Sequence, residues 1–261
     1  MKISIFTFES EKTQHLKKEI EDKLVAVGAQ ICHASPEIVI TIGGDGTVLK
    51  AVHHYRHLLD EVQFIGVHMG HLGYYTDWLP DEVDDLIEFI SRQEFEFSTY
   101  QLLKAELTTG SGEKQEIYAL NEFTILNATR TQHLNIKIND LFLESFRGTG
   151  VCVSTPTGST AYNKSLGGAL IYPSISAFQL TEIASINNNA YRTIGSPLII
   201  PKEQVLTLES ENWEGLTLTQ DHLAPEVSNL FAISISLSDK RAKFIKREKG
   251  LFWQRVKDHF I

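Results

Sequence analysis

The sequence predicts a two-domain chain, an α/β domain with a parallel sheet followed by a β-rich domain. Two observations predict it. In the first hundred residues, strand-like and helix-like patterns alternate, and near residue 98 they give way to short alternating runs separated by turn signals. Residues 3–8 read as a strand, and the charged stretch 11–23 follows with Leu16, Ile20 and Leu24 at helical spacing. Residues 37–42 form an apolar β-branched run that suits a buried strand. Residues 47–59 put Val48, Leu49, Val52, Tyr55 and Leu59 on one helical face; residues 62–67 are a further strand. Residues 81–92 again read as a helix, with Val83, Leu86, Ile87 and Ile90 as its buried stripe. Beyond residue 98, Thr109-Gly110-Ser111-Gly112 marks one hairpin and Asn139-Asp140 a tight two-residue turn. Residues 204–210, 216–220 and 230–237 are also strand-like. The amphipathic segment 251–256 lies in a tail, 248–261, expected to pack back on the first domain. The expected domains are therefore 1–98 and 99–247.

A chain of 261 residues with 42% hydrophobic and 22% charged residues has the balance of an ordinary globular protein. Its formal net charge of −9 argues against a general nucleic-acid binder. The same charge repels anionic substrates, so a site for a nucleotide must bring its own positive potential or a divalent cation. Cys32 and Cys152 lie far apart without CxxC spacing, which speaks against a disulfide framework or a structural zinc site. The first residues lack the long apolar core of a signal peptide, and no apolar run approaches membrane-spanning length. A soluble cytoplasmic protein is expected, with no membrane partner.

The strongest chemical signal is Gly43-Gly44-Asp45-Gly46-Thr47, between a predicted buried strand and a predicted helix. Glycines there let the backbone approach phosphate oxygens, and the helix behind them presents free amides. The plainer alternative is a tight strand-to-helix turn with Asp45 as N-cap. The loop matches neither the Walker pattern nor GxGxxG. A carboxylate inside a phosphate loop is useful if it takes a proton from an attacking hydroxyl or meets Mg²⁺.

Residues 42–47 resemble the GGDG signature shared by NAD kinases, diacylglycerol and sphingosine kinases and, more loosely, phosphofructokinases. Further segments resemble NAD kinases in particular: Gly70-His71-Leu72-Gly73-Tyr74, Ala119-Leu120-Asn121-Glu122, residues 154–162 with their TPTGSTAY run, Gly195-Ser196-Pro197-Leu198, and Asp221-His222. This resemblance implies a two-domain NAD kinase-like fold, with an α/β nucleotide-binding domain and a β-rich domain for NAD binding and oligomerisation. It implies transfer of a phosphoryl group from ATP, or also polyphosphate, to the 2′-hydroxyl of the adenosine ribose of NAD. The chain is then expected to work as a homo-oligomer, a dimer or tetramer, in which Tyr191 or His222 completes a neighbour's site.

The resemblance also assigns residues. Asn121, Ser159, Thr160, Ala161 and Ser165 would surround the adenine, and Asp45 and Glu122 would lie near its ribose. Arg147, Tyr191 and His222 would lie near the new 2′-phosphate, which suits their chemistry. Gly43, Gly44, Gly46, Thr47, Gly70, Leu72, Thr149, Thr157 and Tyr162 complete the expected nucleotide-binding set. One departure stands out: the family's Arg-Gly-Asp-Gly is here Arg147-Gly148-Thr149-Gly150, and Thr149 lacks the carboxylate that serves the nicotinamide half. Asn189 also stands where the family pattern has Arg.

The expected mechanism makes Asp45 the proton acceptor, since an ordinary aspartate is ionised at neutral pH and a loose phosphoryl-transfer transition state needs little base strength. Mg²⁺ or another divalent cation is expected mainly on the substrate phosphates, with no protein ligand assigned. A GGDG-type lipid kinase and a non-catalytic NAD(P)-binding sensor are the alternatives.

Overall fold

The computed structural model describes residues 1–8, 10–70, 73–248 and 250–261. In chain order the elements are β1 (Lys2–Thr7), α1 (Glu11–Ala26), β2 (Gln30–Ile31), β3 (Ile38–Ile42), α2 (Asp45–His54), β4 (Gln63–Val67), α3 (Val83–Arg92) and β5 (Glu96–Thr109). Then come β6 (Lys114–Ala119), β7 (Glu122–Leu126), β8 (Gln132–Ile138), β9 (Leu141–Gly148), β10 (Gly150–Ser154) and the short α4 (Tyr162–Ser165). The last are β11 (Ala177–Ile183), β12 (Leu198–Pro201), β13 (Leu206–Glu209), β14 (Thr217–Gln220), β15 (Leu230–Lys246) and α5 (Phe252–Phe260). Two compact units result, residues 1–100 with 240–261, and residues 101–239. The second boundary falls before 247 because β15 is longer than its predicted 230–237: Lys243 and Phe244 pair with Gln63 and Phe64 of β4.

In the first unit the strands run β2-β1-β3-β4 and then the end of β15, all parallel. From β1 the chain first adds β2 on one side and later β3 on the other. The crevice beyond the carboxyl ends of β1 and β3 is thus the switch point where open α/β sheets bind ligands. Every residue of β3 is buried, as its unbroken β-branched run requires. Helix α1 starts at a reciprocal cap, Ser10 with Thr13, and buries Thr13, Leu16, Ile20 and Leu24. Helix α3 buries Val83, Leu86, Ile87 and Ile90, the predicted stripe. Helix α2 is shorter than the predicted 47–59. It stops at His54, and a 3₁₀ turn over Arg56–Leu58 still carries Tyr55 and Leu59 into the core.

The second unit is antiparallel. One sheet has the order β12-β11-β10-β7-β14. A second set pairs the early part of β15 with β13, β13 with β8 and β8 with β9, and β5 forms a hairpin with β6 through the predicted turn at 109–112. Phe123, Phe146, Val153, Phe178, Leu208 and Ile233 come from both sets and share one core. Asn139 and Asp140 have φ of 47° and 66°, the backbone that a two-residue hairpin turn of right-handed twist needs. Among the described residues no helix is long and apolar enough to cross a membrane.

Candidate active site

In the first unit the site is built on the end of β3. Gly43 leaves the strand with φ of 151°, and its N–H donates to the Val67 carbonyl at 2.9 Å, tying the loop to β4. A Cβ at Gly43 would run into the Thr47 side chain. Gly44 is the N-cap of α2 and contributes no side-chain cap. Asp45 is therefore the first residue of the helix and not its N-cap. Its carboxylate turns to another segment: Oδ2 accepts the Tyr74 N–H at 2.8 Å and Oδ1 the Tyr75 N–H at 3.0 Å. Gly73 lies directly against that carboxylate, while its own N–H donates to Thr76 Oγ1 at 2.8 Å. Gly46 is exposed and open, and Thr47 is buried in the first turn of α2. Gly70 donates its N–H to His68 Nδ1 at 2.8 Å. Leu72, with His71, lies outside the described residues.

Behind this loop is a buried ionic group. Asp77 pairs with Lys246 at 3.3 Å and with the Arg255 guanidinium, and Arg255 Nη1 also donates to the Tyr74 carbonyl at 2.5 Å. Burial pushes Lys246 below its ordinary value, and the Asp77 charge opposes the shift. The Tyr74 ring packs on Phe252, His259 and Phe260 of α5. Burial, with a smaller push from the Asp45 charge, raises the Tyr74 phenol to about 12.

In the second unit Asn121 closes the turn from β6 into β7 and Glu122 opens β7. Their amides, with that of Leu120, converge on Asp221: its carboxylate accepts Leu120 N–H at 2.8 Å, Asn121 N–H at 2.7 Å and Glu122 N–H at 3.1 Å. Asp221 itself has φ of 51° and donates its N–H to the Glu122 carbonyl at 3.0 Å. The 155–158 segment docks on the same turn. Thr155 donates its N–H to the Asn121 carbonyl at 2.8 Å and its hydroxyl to the Leu120 carbonyl at 2.7 Å. A Cβ on Gly158 would strike the Asn121 backbone. Glu122 is buried with Oε2 unpartnered, and burial, reinforced by the Asp221 charge, raises its carboxyl to about 8. This carboxyl is protonated at neutral pH and so can donate a hydrogen bond.

The expected adenine residues are not alike. Ser159 is fully buried; its hydroxyl donates to the Pro156 carbonyl at 2.6 Å and accepts the Ile171 N–H at 2.9 Å, so it holds the loop together. Thr160 donates its hydroxyl to the Thr157 carbonyl at 3.1 Å, and Thr157 is buried. Ala161 is half-buried, whereas Tyr162 and Ser165 on α4 are exposed.

The structure brings Arg147 and Tyr191 together, with the guanidinium 3.8 Å from the ring centroid. The loop bearing Tyr191 is held by two carboxyls. Glu144 accepts the Ile194 N–H at 2.8 Å, and Glu182 accepts the Thr193 hydroxyl at 2.6 Å and the Gly195 N–H at 3.1 Å. Burial, then the neighbouring Glu182, raises Glu144. Arg147 also lines a polar cavity of about 310 Å³ with Arg130, Gln132, His133 and Ser145. Thr149 links β9 to β10, donating its N–H to Ile183 and accepting that of Asn127. His222 is exposed in the tight turn that Asp221 begins.

A sequence profile of the ATP-NAD kinase N-terminal domain matches residues 1–95, and one of the ATP-NAD kinase C-terminal domain matches residues 120–247. The chain belongs to the NAD kinase family. NAD kinase 1 of Listeria innocua serovar 6a is 49% identical over 227 residues, 87% of this chain and 86% of the relative. The NAD kinase of Lactobacillus gasseri is 42% identical over 261 residues, 100% of this chain and 98% of the relative. A crystal structure of yeast NADH kinase complexed with NADH has the same fold, with a TM-score of 0.83 at 16% identity over 99% of this chain and 87% of that one. NAD kinase membership sets aside the lipid-kinase alternative. Within the NAD kinase frame, sequence reasoning missed the clamping role of Asp221, the contact of Gly73 with Asp45, and the Asp77–Arg255 pair. Asp221 did carry a signal, as part of a family landmark. Nothing local marks Arg255.

Proposed function

We propose that the chain transfers the terminal phosphoryl group of ATP to the 2′-hydroxyl of the adenosine ribose of NAD, giving NADP and ADP. One observation carries the mechanism: a single carboxylate, Asp45, stands at the start of a helix in a glycine loop and is oriented by two amides of a neighbouring segment. The 2′-oxygen forms a bond to the terminal phosphorus as the bond from that phosphorus to the ADP oxygen breaks, its electrons leaving with ADP. The hydroxyl proton passes to an Asp45 carboxylate oxygen. The free amides at the start of α2 stabilise charge on the moving group. In the second unit, neutral Glu122 donates to a ribose hydroxyl and the Asn121 side chain holds the adenine side. Arg147 and Tyr191 receive the new phosphate.

The loop offers one carboxylate, Asp45, whose hard oxygens suit a Mg²⁺ that would arrive on the nucleotide phosphates. Bound there, it neutralises phosphate charge, with Asp45 the loop carboxylate that would meet it. We further propose a cytoplasmic enzyme that assembles as a dimer or tetramer. The test is incubation of the purified chain with NAD, ATP and Mg²⁺ and chromatographic detection of NADP. NADP formed in step with ADP supports the reading; absence of NADP with folded protein overturns it.

A further inference from the structure

We propose that the C-terminal helix α5 takes part in catalysis through Arg255, as a positioning residue for Asp45. The inference rests on the proposed role of Asp45.

The peptide group between Tyr74 and Tyr75 is gripped at both ends. Its N–H, on Tyr75, donates to Asp45 Oδ1 at 3.0 Å, and its carbonyl, on Tyr74, accepts from Arg255 Nη1 at 2.5 Å. A peptide unit is planar, so fixing the carbonyl also fixes the direction in which the N–H points. A charged donor on the carbonyl polarises the same group and strengthens its N–H as a donor. The guanidinium thus acts on the carboxylate through one peptide.

Arg255 is itself immobilised. It is 8% exposed, and its second terminal nitrogen pairs with Asp77, which is 7% exposed and also holds Lys246 at 3.3 Å. Asp77 anchors the segment to the sheet through its N–H, which donates to the Gly66 carbonyl at 3.1 Å. Two buried cations face one buried anion here, and the half-buried Asp45 adds a second negative charge, which acts on Lys246 to favour the protonated form. Phe252, His259 and Phe260 pack on the Tyr74 ring and hold the helix against the segment that it steadies.

Lysine at 255 would keep the charge but lose the planar fork that reaches Tyr74 and Asp77 together. The test uses the full chain as wild type, Arg255→Lys, Arg255→Ala and Asp45→Asn, measuring kcat, KM, NAD affinity by calorimetry and the thermal midpoint. For Arg255→Lys, kcat is expected to fall about ten-fold to a hundred-fold, since small misplacements of a reacting group cost that much. Its NAD affinity should stay within about two-fold, the mark of an interaction made in the transition state alone. Low concentrations of guanidinium ion should restore part of the turnover of Arg255→Ala and none of that of Asp45→Asn. If Arg255→Ala fails to fold, Arg255→Lys decides. A folded Arg255→Lys with wild-type kcat overturns the proposal, and so does a loss of kcat that only tracks lost NAD affinity or stability. A wild type that forms no NADP removes the proposed function and this inference with it; an active wild type indifferent to position 255 removes this inference alone.

Discussion

Gly73 sits so close to the carboxylate of Asp45 that a single added carbon would overlap it. Both Asp45 oxygens are engaged by the two amides that follow Gly73, so the carboxylate has no room to retreat. Gly73→Ala is expected to destabilise the chain by about 1–3 kcal/mol, the usual effect of forcing a methyl into packed space. Turnover should fall more than NAD binding does. Chemical denaturation with steady-state kinetics checks both, and full activity in the Gly73→Ala variant would contradict the contact.

Asp45→Asn keeps the outline of the side chain, removes its capacity to accept a proton, and leaves one of the Tyr74 and Tyr75 amides without its acceptor. The variant should fold, bind NAD and lose about 10²–10⁴-fold in kcat, the range of a positioned general base. Stopped-time NADP measurement decides; turnover near wild type would take Asp45 out of the proton transfer.

Glu122 gives the chain a pH signature. Its carboxyl is raised from 4.5 to about 8, so the folded state holds this proton more tightly than the unfolded chain does. Below pH 4.5 both states are protonated and the stability associated with this group is fully present. As pH rises, the unfolded chain ionises first, and that stability is lost by the time pH passes the folded value. Asp221 is the charged neighbour that sustains the shift beyond burial itself, while the Cys152 thiol is pushed up in turn by its own burial and by Glu122. Glu122→Gln removes the titration. Its midpoint relative to wild type should climb between pH 5 and pH 8, as followed by calorimetry. A difference that stays constant across that range would rule out the raised carboxyl.

Asp221 holds three consecutive amides with one side chain, and asparagine offers one acceptor oxygen in place of two. Asp221→Asn should leave a buried amide unpaired, at a cost of about 1–3 kcal/mol, and raise KM for NAD by disordering the Asn121-Glu122 turn. Thermal denaturation and KM measured on the same preparation test it. A variant as stable as wild type would mean that the amides find other partners.

Much of this was legible in the sequence where the signal is local. The stripes of α1 and α3, the β-branched run of β3 and the turn at Asn139-Asp140 each declare themselves within a dozen residues. The pattern predicts too long an α2 because Tyr55 and Leu59 keep helical spacing while the backbone tightens to a 3₁₀ turn. Strands β11 and β12 had no clear alternation to mark them: β11 buries five successive residues. The Gly43–Thr47 loop and the 155–160 turn were visible as composition, and the grip on each was not. Tyr74 and Arg255 lie 181 residues apart, and Leu120 and Asp221 lie 101 apart. Such pairs have no periodicity to read, because folding alone makes them neighbours.

Aspartate and glutamate differ by one methylene and not at all in charge, yet Asp45 and Asp221 each span a fixed gap to successive backbone amides. A longer acid at either place would overshoot its targets while leaving the local potential unchanged. These two sites therefore act as rulers, and a collection of acidic replacements made there would be sorted by side-chain length.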